Sequence, residues 1–245
     1  MGPGARLTPT RAKEVLPLNE KYRLLLLTSM PGSEAETAAI AEQHFLKPTV
    51  LFWEMGNAAT KQQVLAQIEN TDYNLIISYV SGIILKAKHL QQASYGAINI
   101  HPSPPEHGGC WGVWCQPVVN RSFRTHHGVT VHEIDEAIDH GPIYLAERWE
   151  VPSCATIQSV FERSIVDSLR MLAIVCERIA AENLGTRCFS ATGERWHPSN
   201  RHTPIGEIRK WFSELAADHP AHQERVFLNH PRAIISPPYF DDIVS

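Results

Sequence analysis

The chain has 245 residues, of which 43% are apolar, and a formal net charge of −4. This length allows one sizeable hydrophobic core with a smaller appendage. The acidic balance disfavours a nucleic-acid-binding protein, which needs basic side chains to neutralise phosphates. No apolar run approaches the roughly 20 residues of a membrane helix, and the first 20 residues lack the apolar centre of a secretory signal. We therefore expect a cytoplasmic protein without a membrane partner.

Five scattered cysteines without a CxxC pair favour reduced thiols.

Apolar segments alternate with helical patterns over the first hundred residues. The continuous apolar run over 22–29 is typical of a strand buried on both faces. Ser33 followed by Glu36 predicts a capping box at the start of a helix that continues to about residue 44. The same alternation predicts strands over 48–54, 73–80 and 96–101, and helices over 59–70 and 85–94. Short connections between alternating elements predict an α/β fold with a mostly parallel, twisted sheet and flanking helices.

The order of elements changes in the second half of the chain. Strands are predicted over 128–134 and 142–151, as an antiparallel pair whose connection is longer than a tight turn. Apolar residues at helical spacing predict a core helix over 156–183. The sequence from residue 187 onward is polar, rich in turns and broken by prolines. We therefore divide the chain into a flexible arm (1–20), a main domain (21–186) and a small C-terminal appendage (187–245).

Asn99, His101 and Asp139 are candidate catalytic residues. Asn99 and His101 lie two residues apart at the carboxyl end of a predicted parallel strand, where ligands bind in open α/β sheets. Pro102 ends the strand, and Asp139 lies in the loop between the last two predicted strands. A histidine can move protons, a carboxylate can orient it, and an asparagine amide can donate to a developing oxyanion. The three types suit acyl transfer to an amine without a protein nucleophile, and no G-x-S-x-G elbow is present.

Three other interpretations of these residues stay open on spacing alone. A histidine at a strand end can have a purely structural role, and an aspartate before Gly-Pro can be a turn residue. Six histidines between residues 101 and 140 could also bind zinc together with a carboxylate, although no HExxH or CxxC spacing accompanies them. A binding module without catalytic activity is a further alternative.

Several linked motifs resemble the 10-formyltetrahydrofolate-dependent formyltransferase family. They are "NIHPS" at 99–103, "HGVTVHEIDEAIDHGPI" at 127–143, and the preceding "GIILKAKHL" at 82–90. The resemblance covers roughly residues 73–151, with the motifs in the family's order. It implies a Rossmann-like formyltransferase fold for the main domain. It also implies formyl transfer from 10-formyltetrahydrofolate to an amine, in a ternary complex and without a metal.

The resemblance also assigns roles to residues of this sequence. Asn99 would hold the formyl oxygen, His101 would stabilise the tetrahedral intermediate and move protons, and Asp139 would pair with His101. Further positions would bind the folate or the acceptor. Those for the pterin are Ile83, Ile84 and Leu85, with Asp135 and Ile138 in the loop before Asp139, and those for the acceptor are Ser103 and Trp111.

Differences between this sequence and several subgroups of the family narrow the range of expected acceptors. The chain has "TSMPGSEAE" where glycinamide ribonucleotide formyltransferases carry a glycine-rich phosphate loop. Its tail is shorter and less basic than that of methionyl-tRNA formyltransferases, and we expect no regulatory domain like that of the formyltetrahydrofolate hydrolases. A nucleotide-linked amino sugar is therefore the expected acceptor, and a homodimer is possible. Another small amine, such as a natural-product or purine precursor, or water in a hydrolase remains the alternative.

Overall fold

In the computed structural model, the described residues are 20–54, 57–109, 126–136, 139–185, 195–196, 210 and 213–220. The helices and strands among them are, in chain order, β1 Leu24–Thr28, α1 Glu34–Glu42, β2 Thr49–Phe52, α2 Ala58–Asn70, β3 Leu75–Tyr79, α3 Ala87–Gln92, β4 Ala97–His101, β5 Gly108–Gly109, β6 His126–Glu133, β7 Ile143–Glu150, α4 Ile157–Ala180 and β8 Arg195–Trp196. The strands and helices predicted between residues 22 and 183 are confirmed, with ends shifted by a few residues.

Six strands form one sheet in the order β2-β1-β3-β4-β6-β7. β1 pairs in parallel with β2 and β3, and β3 pairs in parallel with β4. β4 and β6, and then β6 and β7, pair antiparallel. The predicted α/β sheet with flanking helices is thus confirmed, with its parallel part formed by the first four strands of the chain. The carboxyl ends of β1, β3 and β4 lie at one edge, where ligands bind in such sheets.

Two hydrophobic cores cover the two faces of the sheet. Leu24 and Leu26 face the core that β1 shares with α1 and α4. Leu25 and Leu27 face the opposite core, which contains residues of α2 and of the segment around α3. Successive side chains of a strand point to opposite faces, so a strand covered by helices on both sides is apolar throughout. This is why β1 is a continuous run of leucines rather than an alternating pattern.

Close backbone contact in the β6–β7 hairpin depends on two glycines. A Cβ atom on Gly128 would lie 2.0 Å from the carbonyl oxygen of Glu147, and one on Gly141 would lie 1.9 Å from that of Glu133. Both distances are far below van der Waals contact, so no side chain fits at either position. Gly141 therefore lets the β6–β7 connection fold tightly back onto the end of β6.

The predicted capping box at the start of α1 is wrong. Ser33 is the residue before α1, but its side chain makes no capping hydrogen bond with the helix. The Ser33 hydroxyl instead donates to the carbonyl oxygen of Met30 at 2.6 Å and lies 2.9 Å from the hydroxyl of Thr28. These contacts close the turn between β1 and α1. The backbone of the turn thus competes with the first turn of α1 for the Ser33 hydroxyl.

The described part of the tail contacts the main domain through a short parallel pairing. Gly108 and Gly109 of β5 pair with Arg195 and Trp196 of β8. The predicted C-terminal appendage lies largely outside the described residues, and so does the arm over 1–19. Within the described segments, no helix combines the length and the apolar character needed to cross a membrane.

Candidate active site

β4 places Asn99 and His101 on one face of the sheet. Ile98 and Ile100 point into the core beneath α4, so the alternation of the strand directs Asn99 and His101 to the opposite face. His101 is the last residue of β4 and only 7% exposed, and Asn99 is half-buried. The two side chains therefore share one face at the carboxyl end of the strand, as the sequence predicts.

The β6–β7 connection brings Asp139 to the same place. Its Oδ1 accepts a hydrogen bond from Asn99 Nδ2 at 3.1 Å, and its Oδ2 lies 3.8 Å from His101 Nδ1. Asp139 has a φ of +50°, a left-handed conformation that L-residues other than asparagine and aspartate seldom adopt. Gly141, two residues later, permits the tight return of the chain described above. The structure thus brings together three side chains from two distant segments of the sequence.

Hydrogen bonding fixes the orientation of the His101 ring. Its Nε2 lies 2.9 Å from the carbonyl oxygen of His107, and because a carbonyl only accepts, Nε2 must carry the proton. Nδ1 is then the nitrogen that faces Asp139. Burial lowers the pKa of His107 to about 4 and that of His127 to about 3. Both neighbours are consequently neutral at pH 7, and neither adds a positive charge beside His101.

His132 belongs to the same cluster; it lies in the motif that resembles the formyltransferases, although the sequence alone assigns it no role in the reaction. It lies opposite Asn99 in the β4–β6 register and is 4% exposed. Its Nε2 lies 3.1 Å from Asn99 Nδ2 and 3.3 Å from Asp139 Oδ1. The available signal was the alternation of β6, in which Val129 and Val131 are apolar and His132 falls on the other face. Only the strand register reveals that this face is the one that carries Asn99.

The segment that follows β3 has the features expected of a site for a flat polar ring. The side chains of Ile83 and Leu85 are buried, whereas that of Ile84 is 51% exposed. Among the described residues, the backbone N–H and C=O groups of Ile84 and Leu85 make no hydrogen bond. They lie after the carboxyl end of β3, the strand that pairs with β4. Backbone donors and acceptors on an apolar wall are a common arrangement in small-molecule sites.

The other predicted positions have different surroundings. Asp135 lies in the β6–β7 connection, half-exposed, with Oδ2 3.7 Å from Nδ1 of His140. Ser103 is fully buried, its N–H donates to the carbonyl of His101 at 2.8 Å, and its own carbonyl accepts from the Thr130 hydroxyl. Its backbone therefore fixes the turn after β4. Ile138 and Trp111 lie outside the described residues. No three His, Cys, Asp or Glu side chains in the described segments are grouped as metal ligands.

Several known proteins with a similar sequence or fold are named formyltransferases. GDP-perosamine N-formyltransferase of Brucella melitensis is 29% identical over 165 residues, which cover 66% of this chain and 60% of the relative. This chain therefore spans less than two thirds of that relative's length. The crystal structure of a 4-N formyltransferase from Francisella tularensis is 21% identical, with a TM-score of 0.55 over 73% of this chain and 77% of that one.

A further structure extends the likeness in fold. The formyltransferase PseJ from Anoxybacillus kamchatkensis, solved with UDP-4,6-dideoxy-4-formamido-L-AltNAc and tetrahydrofolate, is 17% identical. Its TM-score is 0.57, over 81% of this chain and 94% of that one. The formyl transferase family model matches residues 29–171, which is more than half of the chain and includes the clustered residues. The chain therefore belongs to the formyl transferase family.

Proposed function

We propose that this protein transfers a formyl group from 10-formyltetrahydrofolate to the primary amine of a nucleotide-linked amino sugar. The observation that carries the proposal is the convergence of Asn99, His101 and Asp139 at the carboxyl end of β4. An amide donor, an imidazole and a carboxylate within hydrogen-bonding or ion-pairing range provide what acyl transfer to an amine needs. Family membership supports the choice of the formyl group over other acyl groups.

Each of the three side chains has a role in this reaction. The amine nitrogen attacks the formyl carbon, and negative charge develops on the formyl oxygen. Asn99 donates an N–H to that oxygen, and His101, when protonated at Nδ1, stabilises the same charge. Asp139 lies 3.8 Å from His101 Nδ1 and stabilises the imidazolium. The carboxylate also accepts the proton that the attacking amine must lose.

The formyl donor fits the segment after β3. The backbone groups of Ile84 and Leu85, which make no hydrogen bond to other described residues, can bond to the polar edge of a pterin. The buried side chains of Ile83 and Leu85 support the segment from beneath. Asp135 and Ile138 would close the pocket from the β6–β7 connection. The tetrahydrofolate in the Anoxybacillus structure supports this class of ligand for the shared fold.

The acceptor class is inferred from the relatives. The Brucella protein is named for a nucleotide-linked amino sugar, and the Anoxybacillus structure contains a nucleotide-linked formamido sugar. We therefore place an amino sugar attached to a nucleoside diphosphate in front of Asn99 and His101. Ser103 and Trp111 remain the proposed acceptor contacts from the segment that follows β4.

A substrate screen tests the proposal directly. The purified protein is incubated with 10-formyltetrahydrofolate and a panel of GDP-, UDP- and dTDP-linked amino sugars, with glycinamide ribonucleotide as a comparison amine. We expect mass spectrometry to detect one added formyl group on at least one sugar nucleotide, together with release of tetrahydrofolate. Transfer to the comparison amine alone, or consumption of the donor at the same rate without any amine, would contradict the proposed acceptor.

A further inference from the structure

Three polar atoms at the candidate site form a nearly equilateral triangle. Asn99 Nδ2 lies 3.1 Å from His132 Nε2 and 3.1 Å from Asp139 Oδ1, and the latter two atoms are 3.3 Å apart. His132 and Asp139 are both largely buried, with side chains 4% and 11% exposed. Little solvent reaches these two side chains, so exchange of their hydrogens with bulk water is restricted.

The number of hydrogens available to the triangle follows from the contacts of His132. Its Nδ1 lies 2.8 Å from the carbonyl oxygen of Glu133, which can only accept, so Nδ1 carries a proton. In the neutral ring, Nε2 is then an acceptor. The amide of Asn99 has two N–H groups, and the triangle uses one for His132 and the other for Asp139. With His132 neutral, Asn99 has no N–H left for a formyl oxygen.

We propose that His132 is a positioning residue that releases an Asn99 N–H for the formyl oxygen when a proton reaches its Nε2. The inference rests on the proposed function. Once Nε2 is protonated, it donates to Asp139 Oδ1 across the 3.3 Å gap and no longer accepts from Asn99. The freed N–H is then available to a negatively charged oxygen that lies next to it.

The proton that operates this release comes from the reaction. The amine nitrogen forms a bond to the formyl carbon, and the π electrons of the formyl C=O move to its oxygen. The ammonium proton passes to Asp139 and from there to His132 Nε2. When the bond between the formyl carbon and N10 breaks, its electron pair goes to N10, which takes up the proton. Neither His132 nor Asp139 is changed over the cycle.

This coupling restricts the Asn99 hydrogen bond to the tetrahedral intermediate that has lost the amine proton and to the transition state for its breakdown. A donor that is available only at this stage stabilises the oxyanion without binding the unreacted formyl group more tightly. The predicted signature is therefore a change in kcat with little change in KM. A merely structural role for His132 predicts the reverse: lower stability and higher KM, with recovery when a polar side chain of similar shape is restored.

Two substitutions and a control separate these outcomes. We expect His132→Leu to lower kcat about 100-fold, with KM for both substrates within about threefold of the wild type. His132→Gln keeps a hydrogen-bonding group in the triangle but cannot gain or lose a proton, and we expect the same loss of kcat. His126→Gln, at the exposed start of the same strand, is the matched control and should retain wild-type kcat. Wild-type kcat in His132→Gln would overturn the inference.

A spectroscopic measurement tests the triangle without relying on activity. Ring-nitrogen NMR of the ¹⁵N-labelled wild-type protein at neutral pH should show His132, assigned by the loss of its signals in His132→Gln, as the Nδ1–H tautomer. A ring protonated at Nε2 in the resting protein would overturn the inference, whether or not transfer is observed. Absence of transfer by the wild-type protein would instead refute the proposed function, so the two failures are distinguishable.

Discussion

Replacing Asp139 by asparagine removes one negative charge and a proton-accepting group from the site and keeps the shape of the side chain. The side chains are nearly the same size, and asparagine tolerates the left-handed backbone conformation that Asp139 adopts at a φ of +50°. Alanine at this position would combine the loss of charge with backbone strain. Asp139→Asn therefore separates the two chemical roles of the carboxylate, its charge and its ability to accept a proton, from its role in shaping the β6–β7 connection.

The distance between Asp139 and His101 sets the expected size of the effect. Asp139 Oδ2 lies 3.8 Å from His101 Nδ1, and their side chains are 11% and 9% exposed. At an effective dielectric constant of roughly 20, two unit charges at this separation attract by about 4 kcal/mol. Loss of that stabilisation from a protonated His101 in the transition state corresponds to a decrease in kcat of about 10³-fold.

The assay measures initial rates of formyl product formation at saturating donor and amine, with circular dichroism to verify folding. Glu150→Gln serves as the control, because it removes the same charge from an exposed position at the end of β7 and should leave kcat unchanged. A folded Asp139→Asn variant with kcat within about threefold of the wild type would refute the electrostatic reasoning.

Three further predictions concern the backbone and a buried histidine. Gly141→Ala places a Cβ 1.9 Å from the Glu133 carbonyl oxygen and should lower both the thermal midpoint and kcat. Gly128→Ala creates a similar clash with β7 and should lower only the midpoint. Equal losses of kcat in the two variants would contradict this reasoning. Burial lowers the pKa of His127 in the folded protein to about 3, whereas a histidine in the unfolded chain has a pKa of about 6.5. Between these two pH values the ring binds a proton only in the unfolded chain. Stability should therefore fall by about 1.4 kcal/mol per pH unit on acidification, and urea titrations of His127→Leu should lack this contribution. Ile84→Pro removes a backbone N–H and should raise the Kd for tetrahydrofolate about tenfold relative to Ile84→Ala. Equal Kd values for the two variants, measured by calorimetry, would argue against a backbone contact.

Local sequence patterns were sufficient to predict the elements of the main domain. The leucine run of β1 and the helical spacing of α4 each follow from burial against the sheet, and this burial repeats with a fixed period. The capping-box prediction at Ser33 failed because a hydroxyl can bind any of several nearby backbone groups. Here the turn after β1 supplied Met30 as the partner. Short side chains near turns leave such competition undecided at the level of sequence.

The candidate site was predictable in part. The spacing of Asn99 and His101 along one strand fixed their common face, because the period of a strand is two residues. The motifs that resemble the formyltransferases pointed to Asp139. The same motifs contain His132, but its position in β6 indicated only a side chain on the non-core face of that strand. Its contact with Asn99 depends on the antiparallel register of two strands separated by more than twenty residues.

The sequence by itself therefore determined the alternation of strands and helices, the end of β4 at His101 and the membership of a family, because these depend on residues close together in the chain. The tertiary structure decided which side chains meet. The register of β4 with β6 sets His132 against Asn99, and the close approach at Gly141 carries Asp139 to both. Interactions between distant segments depend on how the strands pair and where the backbone can pass, and no local pattern encodes either.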